Sequence, residues 1–253
     1  MTRALLITDF DGTLTERDFY QLAVERLVPA DLPDHWADYR AGKTTHFDAL
    51  AAIFASIRAT DEQALLAVAH DMGLQPDLAT QVGRLRAADW DVTVVSAGCG
   101  WYIDRLLAGA GVELVVHANP GGFVPGGGLR MRRPDDPRFR SHELGVDKAA
   151  VVRDALRRVP TVAFAGDGYP DLDAARLVAP ARRYARGDLA AAAAEEGLAY
   201  RSFDRWSDVV DGLLADGRSD GEPDGRSDGE PEVEADGQTE VQADGQTEAG
   251  HRG

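Results

Sequence analysis

The amino-acid sequence predicts an α/β fold in which a parallel sheet carries helices on both faces and a small helical cap follows the first strand. Two observations support this prediction. Short apolar runs alternate with longer amphipathic segments along most of the chain, and one long helical stretch without a strand interrupts the alternation early. Successive parallel strands joined through helices have right-handed crossovers, so helices cover both faces of the sheet.

Four apolar runs are predicted to be buried strands, because they have the length of a strand and are almost entirely aliphatic. They are residues 5–8, 92–95, 112–117 and 161–165. Asp9, Ser96 and Asp167 lie at or just beyond the ends of three of these runs. Ligands of open parallel sheets bind at the carboxyl ends of the strands, so we expect these residues to meet in one crevice.

The segment 15–76 breaks the alternation of strands and helices. It has helical periodicity and no strand pattern, in the three stretches 19–27, 46–58 and 61–72. We predict a helical cap subdomain at 15–76, inserted into a core domain of residues 1–14 plus 77–215. Such a cap would lie over the crevice and exclude water. A second irregular stretch, 119–137, is rich in Gly and Pro and predicts a loop or hairpin.

Residues 216–253 form an acidic repeat tail that we predict to be disordered. The tail repeats DGRSDGEP and then ADGQTE, and it contains twelve acidic residues against three arginines. It has no aromatic residue, so it cannot form a core, and a solvated tail is favoured over a docking segment.

Charge and composition exclude several classes of partner. The chain has a formal charge of -16, with 25 arginines but only two lysines, which is typical of an acidic, salt-adapted protein. Such a surface repels nucleic acid and anionic membranes. Cys99 is the one cysteine, so no disulfide can form within the chain, and no apolar segment has the length of a signal peptide or a membrane span. The sequence therefore predicts a soluble, cytoplasmic protein.

The first motif is an apolar strand followed by DFDGT, which contains Asp9, Asp11, Gly12 and Thr13. A carboxylate can attack phosphorus if it is held in line with the leaving group, and Asp9 is the candidate nucleophile. Asp11 would protonate the leaving oxygen and then activate water. Gly12 allows a sharp turn, and Thr13 is a candidate contact to the phosphate or to the loop. The alternative is an ordinary acidic strand end.

Two further motifs predict a phosphate clamp. Ser96, Ala97 and Gly98 follow an apolar strand and would present a hydroxyl and backbone N–H groups at the start of a helix. Lys148 would open a later helix, where its ammonium neutralises phosphate and nucleophile. The alternatives are a simple helix cap and a solvated lysine. The scarcity of lysine in this chain favours a specific role for Lys148.

The fourth motif, GDGYPD, places Asp167 at the end of another strand and Asp171 four residues later. Two unit charges about 4 Å apart repel by about 4 kcal/mol at an effective dielectric of 20, so attack on a phosphate needs a cation. Asp9, the backbone carbonyl of Asp11 and Asp167 are oxygen ligands of the kind that Mg²⁺ prefers. Asp171 would support the site by orienting a water or the lysine.

DFDGT, VVSAG, the downstream lysine and GDGYPD together resemble the haloacid dehalogenase-like hydrolase superfamily. The resemblance covers residues 4 to 215 and implies a Rossmann-like core, a phosphoaspartate intermediate and Mg²⁺. A cap in this position resembles the subfamily IB-type phosphatases, which include phosphoserine, phosphoethanolamine, phosphocholine and methionine-salvage phosphatases.

Within that group, the segments SAG with WYI, then HAN, and GD leading to AARL look most like the methionine-salvage branch, which dephosphorylates a hydroxyketo-methylthiopentenyl phosphate. Pro170 stands where phosphoserine phosphatases usually carry Asn. The expected partner is a small phosphorylated metabolite. Candidate substrate contacts, each with a solvated or core alternative, are Asp18, Phe19, Tyr20, Arg40, Lys43, Arg58, Trp101 and Tyr102.

Three other functions share parts of this pattern. A haloacid dehalogenase would share the fold and Asp9, but it needs neither a second acid nor a metal, so Asp11 and Asp167 argue against it. A phosphosugar mutase keeps all four motifs and differs in its cap. A phosphoacceptor signalling domain also clusters aspartates and a lysine, but it lacks the helical insertion and the pair of aspartates one residue apart. A phosphomonoester hydrolase is therefore the predicted function.

Overall fold

Ten strands and ten helices make up the regular structure of residues 4–219, the part of the chain that this computed structural model describes. The strands are β1 (Ala4–Thr8), β2 (Trp90–Cys99), β3 (Val115–Asn119), β4 (Gly121–Val124), β5 (Gly128–Met131), β6 (Arg140–Ser141), β7 (Gly145–Val146), β8 (Thr161–Gly166), β9 (Arg183–Ala185) and β10 (Arg201–Ser202). The helices are α1 (Phe19–Arg26), α2 (His35–Arg40), α3 (His46–Ala55), α4 (Glu62–His70), α5 (Leu78–Ala87), α6 (Gly100–Gly109), α7 (Lys148–Arg158), α8 (Leu172–Ala175), α9 (Gly187–Glu195) and α10 (Trp206–Ser219).

Six strands form one sheet in the order β10-β9-β8-β1-β2-β3, and every neighbouring pair in it is parallel. β1 lies inside the sheet between β8 and β2, and all five of its residues are buried. A strand that is covered on both faces is apolar throughout, which explains the sequence ALLIT. The predicted α/β fold with a parallel sheet is confirmed.

The side chains of β1 alternate between two apolar cores. Leu6 packs into the larger core, together with residues of α1 and of α3 to α6 and α10. Leu5 and Ile7 pack on the opposite face with residues of α7, α8 and α9. Helices therefore cover both faces of the sheet, as in a Rossmann-like domain.

Five helices, α1 to α5, lie between β1 and β2, and the first four lie within the segment 15–76 where the sequence predicts a helical insertion. Phe19, Phe54 and Leu65 of these helices are buried in the larger core. A bridge between Thr15 and Leu74 brings the two ends of the insertion together. α2 is absent from the sequence prediction, because this short helix has no buried residue and therefore no apolar periodicity. The domain boundaries at 14/15 and 76/77 stay predictions.

The segment 96–98 differs from its predicted position. β2 continues through it to Cys99 and α6 begins at Gly100, so the segment belongs to a strand. A shift in the pairing with β3 between Val95 and Cys99 accommodates the longer strand. The expectation that these residues open a helix is therefore wrong, although they stay at the carboxyl end of the sheet.

β3 begins at Val115, three residues later than predicted. Gly111 has a φ of 68°, and the N–H of Val112 bonds back to the carbonyl of Leu107, so this segment closes α6 before the strand starts. The apolar character of Val112 comes from its burial in the core and not from a strand. The irregular stretch at 119–137 contains the antiparallel hairpin of β4 and β5.

α10 extends beyond the predicted end of the core at residue 215, because it runs to Ser219. Asp216, which the sequence assigns to the tail, is paired with Arg182 at 3.0 Å and with Arg201 at 2.7 Å. Ion pairs, which composition does not reveal, thus keep Asp216 in the folded part. The rest of the predicted disordered tail lies outside the described residues. No helix between residues 4 and 219 is long and apolar enough to cross a membrane.

Arg183 in β9 supports a prediction about stability. Its guanidinium is buried and donates to three carbonyls, those of Ala175 (2.7 Å), Ala199 (2.6 Å) and Val178 (3.0 Å). Arg183→Met leaves these carbonyls without their donor, so we expect a loss of about 2–4 kcal/mol in the free energy of unfolding, measured with urea. Arg157→Met, at an exposed ion pair, makes the same charge change and should lose less than about 1 kcal/mol. Equal losses in the two variants would contradict this account.

Candidate active site

A cavity of about 1130 Å³ lies at the carboxyl end of the sheet, and residues at the strand ends and residues of the inserted helices both line it. Asp9, Ser96 and Asp167 all line it, so the structure brings together the three strand-end residues that the sequence predicts to meet. Residues of α1, α2 and α3 also line the cavity, as do the turn before α7 and the starts of α7, α8 and α9.

Lys148 joins two carboxylates at the base of α7. Its Nζ lies 2.9 Å from Oδ1 of Asp9 and 2.6 Å from Oδ1 of Asp171, and its side chain is 3% exposed. Burial by itself lowers the pKa of Lys148, but the two carboxylates outweigh burial and raise the pKa above its ordinary value. The ammonium is therefore permanently charged and fixed beside Asp9.

Three carboxylates surround this single ammonium. Asp9, Asp167 and Asp171 each place an oxygen within 4.8 Å of the others. Burial and the charge of Asp171 raise the pKa of Asp167 to about 6, and the same two causes raise the pKa of Asp9 well above its ordinary range. The cluster is short of positive charge, and its donors are all oxygens. The residues present therefore fit a divalent, hard cation.

Asp171 is fully buried, and both of its oxygens have protein partners. Oδ1 pairs with Lys148, while Oδ2 accepts hydrogen bonds from the N–H groups of Asp167 (3.2 Å) and Gly168 (3.1 Å). These bonds fix the loop after β8. Asp9 and Asp167 face the cavity and Asp171 does not, which fits the supporting position predicted for Asp171.

The carboxylate of Asp11 is held by a separate set of donors. It accepts hydrogen bonds from the Tyr102 hydroxyl (2.8 and 3.0 Å), the Ser96 hydroxyl (3.3 Å) and the backbone N–H of Phe19 (3.0 Å). Burial raises its pKa, whereas the bonds from Phe19 and Tyr102 lower it. The carboxylate of Asp11 is not part of the oxygen cluster around Lys148, so only its backbone is a candidate metal ligand.

The other predicted phosphate contacts lie at the cavity, with one exception. Ser96, Ala97 and Gly98 line it, and the Gly98 N–H donates to the Ser96 hydroxyl at 3.0 Å. Thr13 does not line the cavity, because its hydroxyl donates to Oδ1 of Asp167 at 2.7 Å. The phosphate contact of Thr13 stays a prediction, and in this structure the Thr13 hydroxyl orients Asp167.

Tyr102 connects Asp11 to the inserted helices. Its fully buried ring stacks on Phe19 at a centroid distance of 4.5 Å and an angle of 29°, and it meets Phe54 edge-on at 6.4 Å. The sequence names Tyr102 as a candidate lining residue but gives no sign of its bond to Asp11. Trp101, the other candidate, packs away from the cavity.

The three candidate anion contacts of the insertion, Arg40, Lys43 and Arg58, do not lie together at the cavity. Arg40 lines the cavity, but it is exposed and pairs with Asp34 at 3.3 Å. Lys43 pairs with Asp38 at 3.0 Å, and Arg58 lines a separate hollow. Neither Lys43 nor Arg58 lines this cavity, so their anion contacts stay predictions.

The lining residues that are absent from the sequence prediction include Trp36, Tyr39, His46 and Glu143. These four come from a helix without a buried face, the start of α3 and a turn, where no motif marks them. Nε1 of Trp36 and Nδ1 of His46 are buried and lack a hydrogen-bond partner within residues 4–219, so a ligand or water can pair with them. Burial lowers the pKa of His46 to about 4, so this ring is neutral at pH 7.

The loop after β1 needs glycine at position 12. Gly12 has a φ of 69°, and a Cβ at this position would collide with the carboxylate of Asp167. Arg186, a residue that no sequence motif indicates, donates from Nε to the Gly12 carbonyl at 2.7 Å and so fixes the loop.

Gly12→Ala should therefore weaken divalent-metal binding by about tenfold or more, because the methyl group displaces Asp167. The affinity is measured by calorimetric titration of Mg²⁺ or Mn²⁺. Gly42→Ala is the matched control, since Gly42 also has a φ of 69° but nothing lies within 4 Å of its added Cβ. Equal affinities in the two variants would show that the collision with Asp167 is unimportant.

Comparison with known proteins gives the family. The sequence profile of the haloacid dehalogenase-like hydrolases matches residues 6–176, which include the DFDGT and GDGYPD motifs. No curated protein matches the chain. Among solved structures, the chain is similar to a haloacid dehalogenase family hydrolase from Salmonella enterica subsp. enterica serovar Typhi, with a TM-score of 0.61 and 16% identity, over 80% of this chain and 68% of that one.

Two further solved structures have the same fold. A probable phosphoserine phosphatase from Vibrio cholerae matches with a TM-score of 0.61 and 17% identity, over 86% of this chain but only 66% of that one. The phosphoserine phosphatase from T. onnurineus matches with a TM-score of 0.56 and 19% identity, over 83% of this chain and 94% of that one. The predicted family resemblance is confirmed: the chain belongs to the haloacid dehalogenase-like hydrolase family, and it shares its fold with these two phosphatases.

Proposed function

We propose that this hydrolase is a Mg²⁺-dependent phosphomonoesterase that forms a phosphoaspartate on Asp9. The observation that carries the proposal is the contrast between two neighbouring carboxylates. Asp9 is held by the charge of Lys148, while Asp11 is held by a separate set of hydroxyl and N–H donors. Two carboxyl groups in such different surroundings suit the two different roles of nucleophile and acid–base catalyst.

Asp9 has one oxygen available for attack. The Nζ of Lys148 and the N–H of Phe10, at 2.9 and 2.7 Å, both contact Oδ1. Oδ2 receives no protein donor within the described part of the chain and is the candidate attacking atom. Attack on phosphorus forms the acyl phosphate on Asp9 and breaks the bond to the leaving oxygen, which takes a proton from Asp11.

The second step regenerates the enzyme. Asp11, now ionised, accepts a proton from water as the water attacks the phosphorus of the acyl phosphate, and inorganic phosphate leaves Asp9. Ser96 and the backbone of Ala97 and Gly98 are the proposed phosphate contacts. When bound, Mg²⁺ would be held by Asp9, Asp167 and the Asp11 carbonyl, and it would offset the negative charge of the phosphoryl group.

The inserted helices are proposed to act as a cap over this reaction. They line the cavity together with the strand ends, and Phe19 both donates its backbone N–H to Asp11 and stacks on Tyr102. The substrate is a small phosphorylated metabolite. The motifs resemble most the enzymes that act on the hydroxyketo-methylthiopentenyl phosphate of methionine salvage, and phosphoserine, phosphoethanolamine and phosphocholine are the alternatives. A cytoplasmic location stays a prediction from the single cysteine.

Asp9→Asn tests the nucleophile. We expect Mg²⁺-dependent hydrolysis of p-nitrophenyl phosphate to fall on the order of a thousandfold or more, because an amide does not form the phosphoaspartate. Removal of Mg²⁺ with EDTA should have a similar effect on the wild type, and Asp11→Asn should also inactivate. Asp31→Asn, an exposed carboxylate outside the cavity, is the control. Wild-type activity in Asp9→Asn would rule out the proposed reaction.

Tyr102→Phe tests whether Tyr102 positions Asp11. The variant keeps the ring and its packing but removes the hydroxyl that donates to Asp11, so kcat should fall about tenfold with little change in KM. Steady-state kinetics with p-nitrophenyl phosphate separate the two parameters. Tyr184→Phe removes a buried hydroxyl outside the cavity and should leave both unchanged. A change confined to KM would indicate a contact to substrate instead.

A further inference from the structure

The cavity is acidic beyond the site of the proposed reaction. Five carboxylates line it outside the catalytic group, and they are Asp18, Glu143, Asp147, Asp173 and Asp188. Arg40 is the one further cation among the described lining residues, and it is exposed and paired with Asp34. A substrate carboxylate would therefore lose its hydration there without gaining a free cationic partner.

Four aromatic rings in mutual contact line the same cavity, and we call them the aromatic wall. It consists of Tyr20, Trp36, Tyr39 and His46, all of which line the cavity. Trp36 is the central member, with ring centroids 5.5 Å from Tyr20, 5.8 Å from Tyr39 and 5.0 Å from His46. The planes meet at 52–70°, so the wall presents rings in several orientations to one ligand group.

Two carboxylates flank the aromatic wall. Asp18 stands two residues before Tyr20, and Glu143 accepts a hydrogen bond from the backbone N–H of His46 at 3.2 Å. Neither carboxylate forms an ion pair within the described residues. Burial, followed by the charges of Asp11 and Asp167, raises the pKa of Asp18 to about 7, so a cation bound beside Asp18 would favour its ionised form.

The wall adds no positive charge of its own, because His46 is neutral at pH 7. Besides burial, the charge of Lys148 contributes to the low pKa of His46, so the wall lies within electrostatic range of the proposed phosphoryl site. Aromatic faces attract cations within about 6 Å of the ring centroid, and carboxylates at the edge add to that attraction. A cationic group is therefore the ligand that this part of the cavity complements.

We infer that the aromatic wall, with Asp18 and Glu143, binds the ammonium group of the substrate, and that the substrate is a phosphorylated amino alcohol or its N-methylated form without a carboxylate. This inference rests on the proposed phosphomonoesterase activity and specifies its substrate class. It selects phosphoethanolamine and phosphocholine from the alternatives, in place of the neutral thioether phosphate that the motifs resemble.

Two matched pairs of substrates isolate charge from shape. Phosphocholine and 3,3-dimethylbutyl phosphate have the same outline, but only the first carries a positive charge. Phosphoethanolamine and O-phosphoserine differ by one carboxylate. We expect kcat/KM to be about tenfold higher for the first member of each pair, at a fixed ionic strength and the lowest salt at which the protein stays folded.

Variants of the wall test its part in this selectivity. Trp36→Leu should reduce the ratio of kcat/KM between phosphocholine and 3,3-dimethylbutyl phosphate towards one, and Trp36→Tyr should keep most of it. Asp18→Asn should also reduce the ratio, and it provides a second test if Trp36→Leu does not fold. Tyr200→Leu, which removes an aromatic ring outside the cavity, should keep the wild-type ratio.

Hydrolysis of ethyl phosphate separates this inference from the function on which it rests. Mg²⁺-dependent hydrolysis of ethyl phosphate with a ratio of one or less in either substrate pair would overturn the ammonium site and leave the phosphomonoesterase standing. A higher kcat/KM for the hydroxyketo-methylthiopentenyl phosphate than for phosphocholine would overturn it as well. Failure to hydrolyse any of these phosphates would overturn both proposals. A tenfold preference that is lost in Trp36→Leu and kept in Tyr200→Leu would support the inference.

Discussion

The buried contact of Lys148 with Asp9 and Asp171 is the constraint on which the site depends. Removal of an ammonium from water is unfavourable unless opposite charges compensate it, and here two carboxylates do so at 2.9 and 2.6 Å. Asp9 directly follows β1, Asp171 lies in the turn between β8 and α8, and the lysine opens α7. One ion-paired group thus links three elements that are distant in sequence. The carboxylates of this group outnumber its one ammonium, and this excess of negative charge favours binding of a divalent cation.

The inserted helices contribute to the surroundings of Asp11, because its carboxylate accepts hydrogen bonds from α1 as well as from α6. Phe19 of α1 donates its N–H to Asp11, and Tyr102 of α6 donates its hydroxyl while its ring packs between Phe19 and Phe54. A displacement of α1 would therefore alter the surroundings of Asp11, the proposed acid, as well as open the cavity. One cluster of rings thus couples access to the cavity with the proposed protonation by Asp11.

Sequence reasoning reached the parts of the protein that have local patterns. The convergence of the strand ends, the aspartate motifs and Lys148 could be predicted. Their spacing in the sequence is fixed, and the chemistry allows few residue types at these positions. The bounds of β2 and β3 could not, because pairing register and a turn at Gly111 decide them. The hydroxyl of Thr13 and the ion pairs of Asp216 depend on distant partners. The aromatic wall comes from short segments without periodicity, and only the folded chain assembles it.

The scarcity of lysine has a practical consequence. Lys148 is 3% exposed and its pKa is raised, so its amine is both inaccessible and protonated, whereas the side chain of Lys43 is 71% exposed and lies outside the cavity. These are the two lysines of the chain. Besides the terminal amine, an amine-reactive dye or surface-coupling reagent has one accessible side chain, on the inserted helical region. The molecule can therefore be tagged or immobilised through Lys43 with its cavity left open.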